Sequence, residues 1–326
     1  MIDQRRVVRS RIACMIAALL AAPIATAAYP EKPVRVVVPA VPGGALDFIA
    51  RLLMQKLAEN MGAQFIIDNR GGAAGSIGAD QVARATADGY TVLFSSSSLL
   101  AINPHLGAKT TFDVLRDFAP VILIGFAPNA LAVHPSLPAT NVKQLIALAT
   151  ARPGALAFAS NGAGTLSHLT AALFMQQARI DMLHVPYKGA APAVIAAASG
   201  QVPVIFSAYP SVLTQMQAGK LRVLALTSAK RIAAAPTLPT IAETALPGFD
   251  STQWWGFYGP AGVPAEIIAR LNREMNAILA TADTKKRLAS EGAEPAGGTA
   301  AELAAYHKTD YARWEKVIRN AGIKGE

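Results

Sequence analysis

From residue 29 to about residue 250, short apolar runs alternate with segments whose apolar positions recur at helical spacing. Val34 to Val38 is almost all β-branched, which predicts a strand covered on both faces. Pro39 and Pro42 end it, and Gly43-Gly44 supply a turn. Phe48, Leu52, Leu53 and Leu57 then recur as one helical face, with Asp47 where a cap or first-turn acid belongs. Further strands are predicted at 65–67, 90–94, 131–133, 155–159, 183–185, 202–206 and 223–226. Helices are predicted up to residue 85 and over 141–150, 165–178, 190–199 and 211–218. This βαβα order predicts parallel sheets with helices on both faces.

The last third of the chain differs. Pro264 suits the first position of a helix running to about residue 280. Thr299 and Glu302 form a capping box that opens a final helix. Its apolar stripe, Leu303, Tyr306, Trp314 and Val317, is expected to pack against the body. The charges in 283–291 and 308–319 read as solvated helix faces.

Residues 1–28 read as a secretory signal. Arg5, Arg6, Arg9 and Arg11 form a basic start, and the apolar run from Ile12 to Leu20 is too short to span a bilayer. Small residues at Thr26-Ala27-Ala28 offer cleavage after Ala27 or Ala28; an uncleaved anchor is the alternative. The one cysteine, Cys14, falls inside this segment, so a chain beginning at Tyr29 has no disulfide and no cysteine-based metal site. The leader holds four arginines against Asp3, which leaves +6 of the formal +9 on residues 29–326. No basic run with interleaved aromatics accompanies that charge, so it favours small acidic molecules and argues against nucleic acid. No later apolar stretch is long enough to be a membrane span.

Two strand–glycine–helix units carry candidate chemistry. The first is Val38 to Asp47; the second is Ser160-Asn161-Gly162-Ala163-Gly164-Thr165. Each aims bare backbone N–H groups and the positive end of a helix dipole at one point, which favours an anion. Read alone, each is also an ordinary βα turn. A third glycine-rich segment, Asn69 to Gly78, could join them in one crevice beyond the carboxyl ends of the strands. That segment loosely resembles a dinucleotide turn, so an NAD(P)-dependent or other enzyme on an α/β scaffold is the alternative function. Against it, no acid follows where a ribose would need one, because Ser95 to Ser98 stand there. Gly-x-Ser-x-Gly, Ser-x-x-Lys and Walker A motifs are all missing, and the five histidines (105, 134, 168, 184 and 307) lack metal-ligand spacing. His168 and His184 read as hydrogen-bonded structural residues. Trp254 and Trp255, on a strand, would face opposite sides, one of them core. Glu243 and Asp250 read as solvated loop acids, and Lys188 as surface charge or a ligand contact. With no catalytic apparatus visible, the expectation is a binding protein with no cofactor and no metal.

The residues resemble a known family over essentially all of 29–326: the Bug-type extracytoplasmic receptors of tripartite tricarboxylate transporters. The marks are Tyr29-Pro30-Glu31-Lys32-Pro33, Pro42-Gly43-Gly44 with Asp47 and Ala50-Arg51, Asn69-Arg70 with Gly72-Ala73, Gly75 and Ile77-Gly78, and Asp88-Gly89-Tyr90-Thr91. His184-Val185-Pro186-Tyr187-Lys188-Gly189, Gly200-Gln201-Val202, Pro239-Thr240, Glu243, Pro247-Gly248-Phe249 and Pro260-Ala261-Gly262 complete the set.

The resemblance implies a two-lobed periplasmic-binding-protein clamshell of type II, with mostly parallel sheets flanked by helices and hinged on crossing strands. One lobe would comprise 29–125 plus 249–326 and the other 126–248. It implies a monomeric periplasmic receptor that captures a small organic carboxylate and serves membrane permease subunits or a sensor. The matching ligand positions are Gly43, Gly44, Ala45, Leu46 and Asp47 on one lobe and Ser160, Asn161, Gly162, Gly164 and Thr165 on the other. Ser96, Ser97, Tyr187 and Ser207 are added to these. The chain departs from the family pattern at Ala40 (commonly Phe), Leu46 (commonly Thr or Ser) and Ser207 (commonly Asp). The loss of an acid at 207 leads to the expectation of a carboxylate without an ammonium group.

Overall fold

The computed structural model describes residues 29–107 and 110–323. The segment read as a signal, with Cys14, lies outside the described residues. The chain divides by contact into Met1–Glu31 and Lys32–Glu326, and the second unit carries every strand and helix named below.

Its elements run β1 (Val34–Val38), α1 (Ala45–Met61), β2 (Phe65–Asn69), α2 (Ser76–Ala83), β3 (Thr91–Ser96), β4 (Phe118–Val133), α3 (Val142–Ala151), β5 (Ala157–Ser160) and α4 (Leu166–Ala178). There come next β6 (Leu183–Pro186), α5 (Ala190–Ala198), β7 (Val204–Ala208), α6 (Tyr209–Gln217), β8 (Arg222–Leu226), α7 (Ile241–Thr244) and β9 (Thr252–Pro260). The last are α8 (Ala265–Ala280), α9 (Ala282–Ser290), β10 (Glu294–Gly297) and α10 (Ala300–Ala321).

The strands are ordered β2-β1-β3-β9-β4-β7-β5-β6, with β8 and β10 also on β4. Pairing is parallel in the outer groups, β1 with β2 and β3, and β5 with β6 and β7. It is antiparallel wherever β4 or β9 takes part. The sheets are therefore more mixed than the βαβα pattern predicts, because the two crossing strands enter against the direction of their neighbours. The long strand β4 joins the two lobes of the clamshell: Phe118 to Pro128 pairs with β9, and Asn129 to Val133 pairs with β7.

Of β4, the apolar pattern predicts only the final residues as strand. Pro120, Gly125 and Pro128 disguise the rest. The structure absorbs Pro120 and Gly125 in register shifts between Pro120 and Ile122 and between Leu123 and Gly125, while Pro128 pairs in register with Thr252 at the end of β9. Gly125 is required there, since a Cβ would overlap the carbonyl oxygen of Glu294 on the paired β10.

The valines of β1 are buried as expected, and α1 buries Ile49, Ala50, Leu52, Leu53, Met54 and Leu57. Phe48 departs from its predicted face and is 40% exposed. The capping box of α10 forms as expected, and Leu303, Trp314 and Val317 enter the core beside Phe174, Phe206, Phe249 and Trp254. Pro264 stands one place earlier than predicted, as the N-cap of α8. The stretch 308–319 is not wholly solvated. Asp310 is buried and accepts hydrogen bonds from the indole N–H groups of Trp254 (2.7 Å) and Trp314 (3.1 Å).

Candidate functional site

Two groups of parallel strands, β1 with β3 and β5 with β7, end at a cleft of about 450 Å³. Its walls are Ala45, Leu46, Ser96 and Ser98 on one side and Asn161, Thr165, Leu166, Ser167, Ala208, Pro210 and Ser211 on the other. The crossing strands supply Ala127, Asn129, Gln253 and Trp255, and Glu291 completes the rim. Carboxyl ends of strands are where open α/β sheets bind ligands.

Three helices start at this cleft: α1, α4 and α6. None has a side-chain cap. By contrast α3, α7, α9 and α10 are capped by Asn141, Thr240, Thr281 and Thr299. An uncapped start occurs elsewhere too, so the informative feature is convergence. Three sets of first-turn N–H groups and three positive dipole ends meet in one hollow. Around them stand neutral hydrogen-bonding side chains. No Lys, Arg or His lines the cleft; Glu291 is its one charged residue among those described.

The second glycine turn is built by its own side chains. Ser167 Oγ accepts the Asn161 N–H (2.9 Å), and Thr165 donates to the Gly162 carbonyl (2.7 Å). Ser207 donates to Asn161 Oδ1 (3.0 Å), which orients the amide. Ser160 is fully buried and bonds His184 Nε2 (2.7 Å). His184 in turn stacks on His168 with ring centroids 3.8 Å apart. The Gly164 N–H donates to His168 Nδ1 (3.1 Å). Burial, and then the neighbouring His184, push His168 down to about 4; burial lowers His184 as well. Both imidazoles are therefore neutral packing pieces behind the turn, as expected for structural histidines.

In the first turn Asp47 is 4% exposed and both carboxylate oxygens are engaged. They accept from the Gly43 N–H (3.0 Å), Arg51 Nε (2.9 Å) and Asn69 Nδ2 (2.9 Å). Burial acts to raise this carboxyl, but the hydrogen bonds from Arg51, Gly43 and Asn69 outweigh it and hold it below its usual range. Asp47 fastens the loop from which Ala45 and Leu46 reach the cleft.

Of the expected ligand positions, Ala45, Leu46, Ser96, Asn161 and Thr165 line the cleft. Gly43, Gly44, Gly162 and Gly164 belong to the two turns but do not line the cleft; Gly43 and Gly44 are exposed, and Asp47 and Ser160 are buried. Ser97 is buried and receives the Trp254 N–H (3.4 Å). The Tyr187 N–H donates to the Ser160 carbonyl (3.1 Å), and its side chain packs on the cluster around α5 and β7. The third glycine segment stays out of the cleft. At Gly75 and Gly78 a Cβ would meet the Pro39 and Arg70 carbonyl oxygens at 2.9 and 2.7 Å, so these glycines serve close packing. Trp254 is core and Trp255 lines the cleft, on opposite faces of β9.

Sequence reasoning missed Ala127, Asn129, Leu166, Ser167, Ala208, Pro210, Ser211, Gln253 and Glu291. Pro210 and Ser211, beside a predicted strand end, carried a legible signal. The β4 and β9 residues did not, because their strands were hidden. Of the two acids read as solvated, Asp250 needs correction, while Glu243 is exposed as expected but on α7 rather than in a loop. Asp250 is half-buried, and burial raises its carboxyl, with Arg313 partly offsetting this. Glu243 is tied into the α7 capping box and to Arg231 (2.9 Å).

An α/β clamshell with an anion-favouring cleft at its crossing strands defines a solute-binding receptor. Sequence comparison is more specific: the tripartite tricarboxylate transporter family receptor matches residues 49–323, and the chain belongs to that family. It is 39% identical, over 89% of this chain and 87% of the relative, to a protein from the tcbD-tcbE intergenic region of Pseudomonas sp. strain P51. It is 37% identical to protein BugT of Bordetella pertussis, over 94% of each chain. Among solved structures, Rpa4515 of R. palustris with adipate aligns at TM-score 0.76 and 38% identity, covering 91% of this chain and 99% of that one. MatC of Rhodopseudomonas palustris with bound malate aligns at TM-score 0.71 and 29% identity, covering 89% and 100%.

Proposed function

We propose that the chain captures a small organic carboxylate in the 450 Å³ cleft and delivers it to membrane permease subunits or a sensor. The observation that carries this is the meeting of three uncapped helix starts (α1, α4 and α6) in a hollow with no basic side chain. Backbone N–H groups and hydroxyls then hold the carboxylate, each charge-assisted bond contributing about 1.5–3 kcal/mol. Relatives with adipate and malate in place support the same ligand class.

Residues 29–125 plus 249–326 act as one lobe and 126–248 as the other, closing about β4 and β9. The ligand group comprises Gly43, Gly44, Ala45, Leu46, Asp47, Ser96, Ser97, Ser160, Asn161, Gly162, Gly164, Thr165, Tyr187 and Ser207. Within it, residues on the cleft wall touch ligand and the others position the turns. The protein works as an exported periplasmic monomer and not as an enzyme. Its buried Ser160 hydroxyl, beside a neutral histidine stack, is closed to a substrate.

A thermal-shift screen of the purified protein against mono-, di- and tricarboxylates, amino acids and NAD(P) tests the reading. A carboxylate at 100 times its dissociation constant stabilises by about 2.7 kcal/mol, a shift of a few degrees. A shift with NAD(P) alone would restore the enzyme alternative.

A further inference from the structure

The cleft holds a charge that a simple carboxylate site does not need. Glu291 comes directly after the last turn of α9, is half-buried, and lines the cleft beside Pro210 and Ser211 of α6. The close approach is visible at the next residue: a Cβ on Gly292 would lie 2.6 Å from the Pro210 ring. Among the described residues no side-chain hydrogen bond or ion pair to Glu291 is found, although the other acid next to the cleft, Asp47, has both oxygens engaged. No cation lines the cleft to neutralise it. Dipole ends and N–H groups can accept one ligand carboxylate, but a second one reaching the rim would meet an unpaired negative charge in a partly desolvated site.

Accepting the carboxylate-receptor reading above, we infer that Glu291 is a specificity-determining residue. It selects ligands that carry an ammonium group at the end away from the anchored carboxylate, and it rejects dicarboxylates of the same length. This reverses the expectation drawn from Ser207. That hydroxyl is buried against Asn161, outside the cleft, and the acid facing the ligand comes from another part of the chain.

The test is isothermal titration of the purified protein with three matched series of four, five and six carbons: plain monocarboxylates, α,ω-dicarboxylates and ω-amino monocarboxylates. At the best-fitting length the amino acid should bind about tenfold more tightly than the dicarboxylate. Glu291→Gln, which keeps side-chain size, should bring the two within about twofold, and Glu291→Lys should favour the dicarboxylate. Unligated melting temperatures check that the variants remain folded. Equal or tighter dicarboxylate binding by the wild type, or an unchanged ratio in Glu291→Gln, overturns the inference while leaving the receptor reading intact. Equal weakening of all three series by Glu291→Gln would make Glu291 merely structural and also overturns it. Silence from every compound would overturn the inference, and the receptor reading is then decided by the wider carboxylate panel above.

Discussion

At the scale of single residues, the cleft is defined as much by groups behind its wall as by those on it. Asp47 and His168 both hold glycine turns, and both make stability depend on pH. The Asp47 carboxyl lies below its usual value of 3.8, so its contribution is complete above about pH 4 and fades as pH falls through the folded value. Asp47→Asn should cost about 2 kcal/mol near neutrality in a urea melt and should flatten that acid limb. His168 works in a different window. Its folded value of about 4 lies below the 6.5 of a free imidazole, so the unfolded chain binds the proton first. Stability is therefore complete above about pH 6.5 and declines as pH falls towards 4. His168→Gln should remove much of that slope between pH 6.5 and 4, read as melting temperature against pH. An unchanged slope would place the titrating group elsewhere.

At the scale of elements, the chain shows which features local sequence can carry. The valine run of β1 and the capping box of α10 are each written in a few adjacent residues and form as expected. The glycine turns before α1 and α4 also form, but N–H groups expected to be bare are taken up within them, Gly43 by Asp47, Asn161 by Ser167 and Gly164 by His168, which leaves the first-turn N–H groups of the helices as the donors on offer. β4 is not local in this sense. Its prolines and Gly125 are turn signals until the partner strands are known, when Pro120 falls at a bulge, Pro128 at an ordinary pair with Thr252, and Gly125 at a point of close approach. Asn129, Gln253 and Trp255 were illegible for the same reason: which face of a crossing strand meets ligand depends on pairing across more than a hundred residues. Asn129 also sits at the end of a buried hydroxyl chain through Thr170 and Ser251, assembled from three distant segments. Gly125→Ala tests the β4–β10 contact. The added methyl must displace the backbone of β10, so the variant should lose about 1–3 kcal/mol in denaturant unfolding. A loss within a few tenths would mean that β10 yields freely.

At the scale of the whole unit, the crossing strands put binding and hinge in one place. β4 and β9 line the floor of the cleft with Ala127, Asn129, Gln253 and Trp255 and also connect the two sheet regions. On the proposed lobe assignment, a ligand that bridges the starts of α1, α4 and α6 would touch both lobes at once and so couple capture to closure. The decisive experiment is calorimetric titration of a carboxylate panel into the wild type and into Leu46→Trp. Leu46 is a half-buried wall residue whose enlargement fills the cleft without entering the core. We expect saturable binding of at least one carboxylate by the wild type, and at least about tenfold weaker binding by a Leu46→Trp protein that melts within a few degrees of it. Carboxylate binding that survives the filled cleft unchanged would refute a site at the meeting of the three helices, because the ligand would then lie elsewhere.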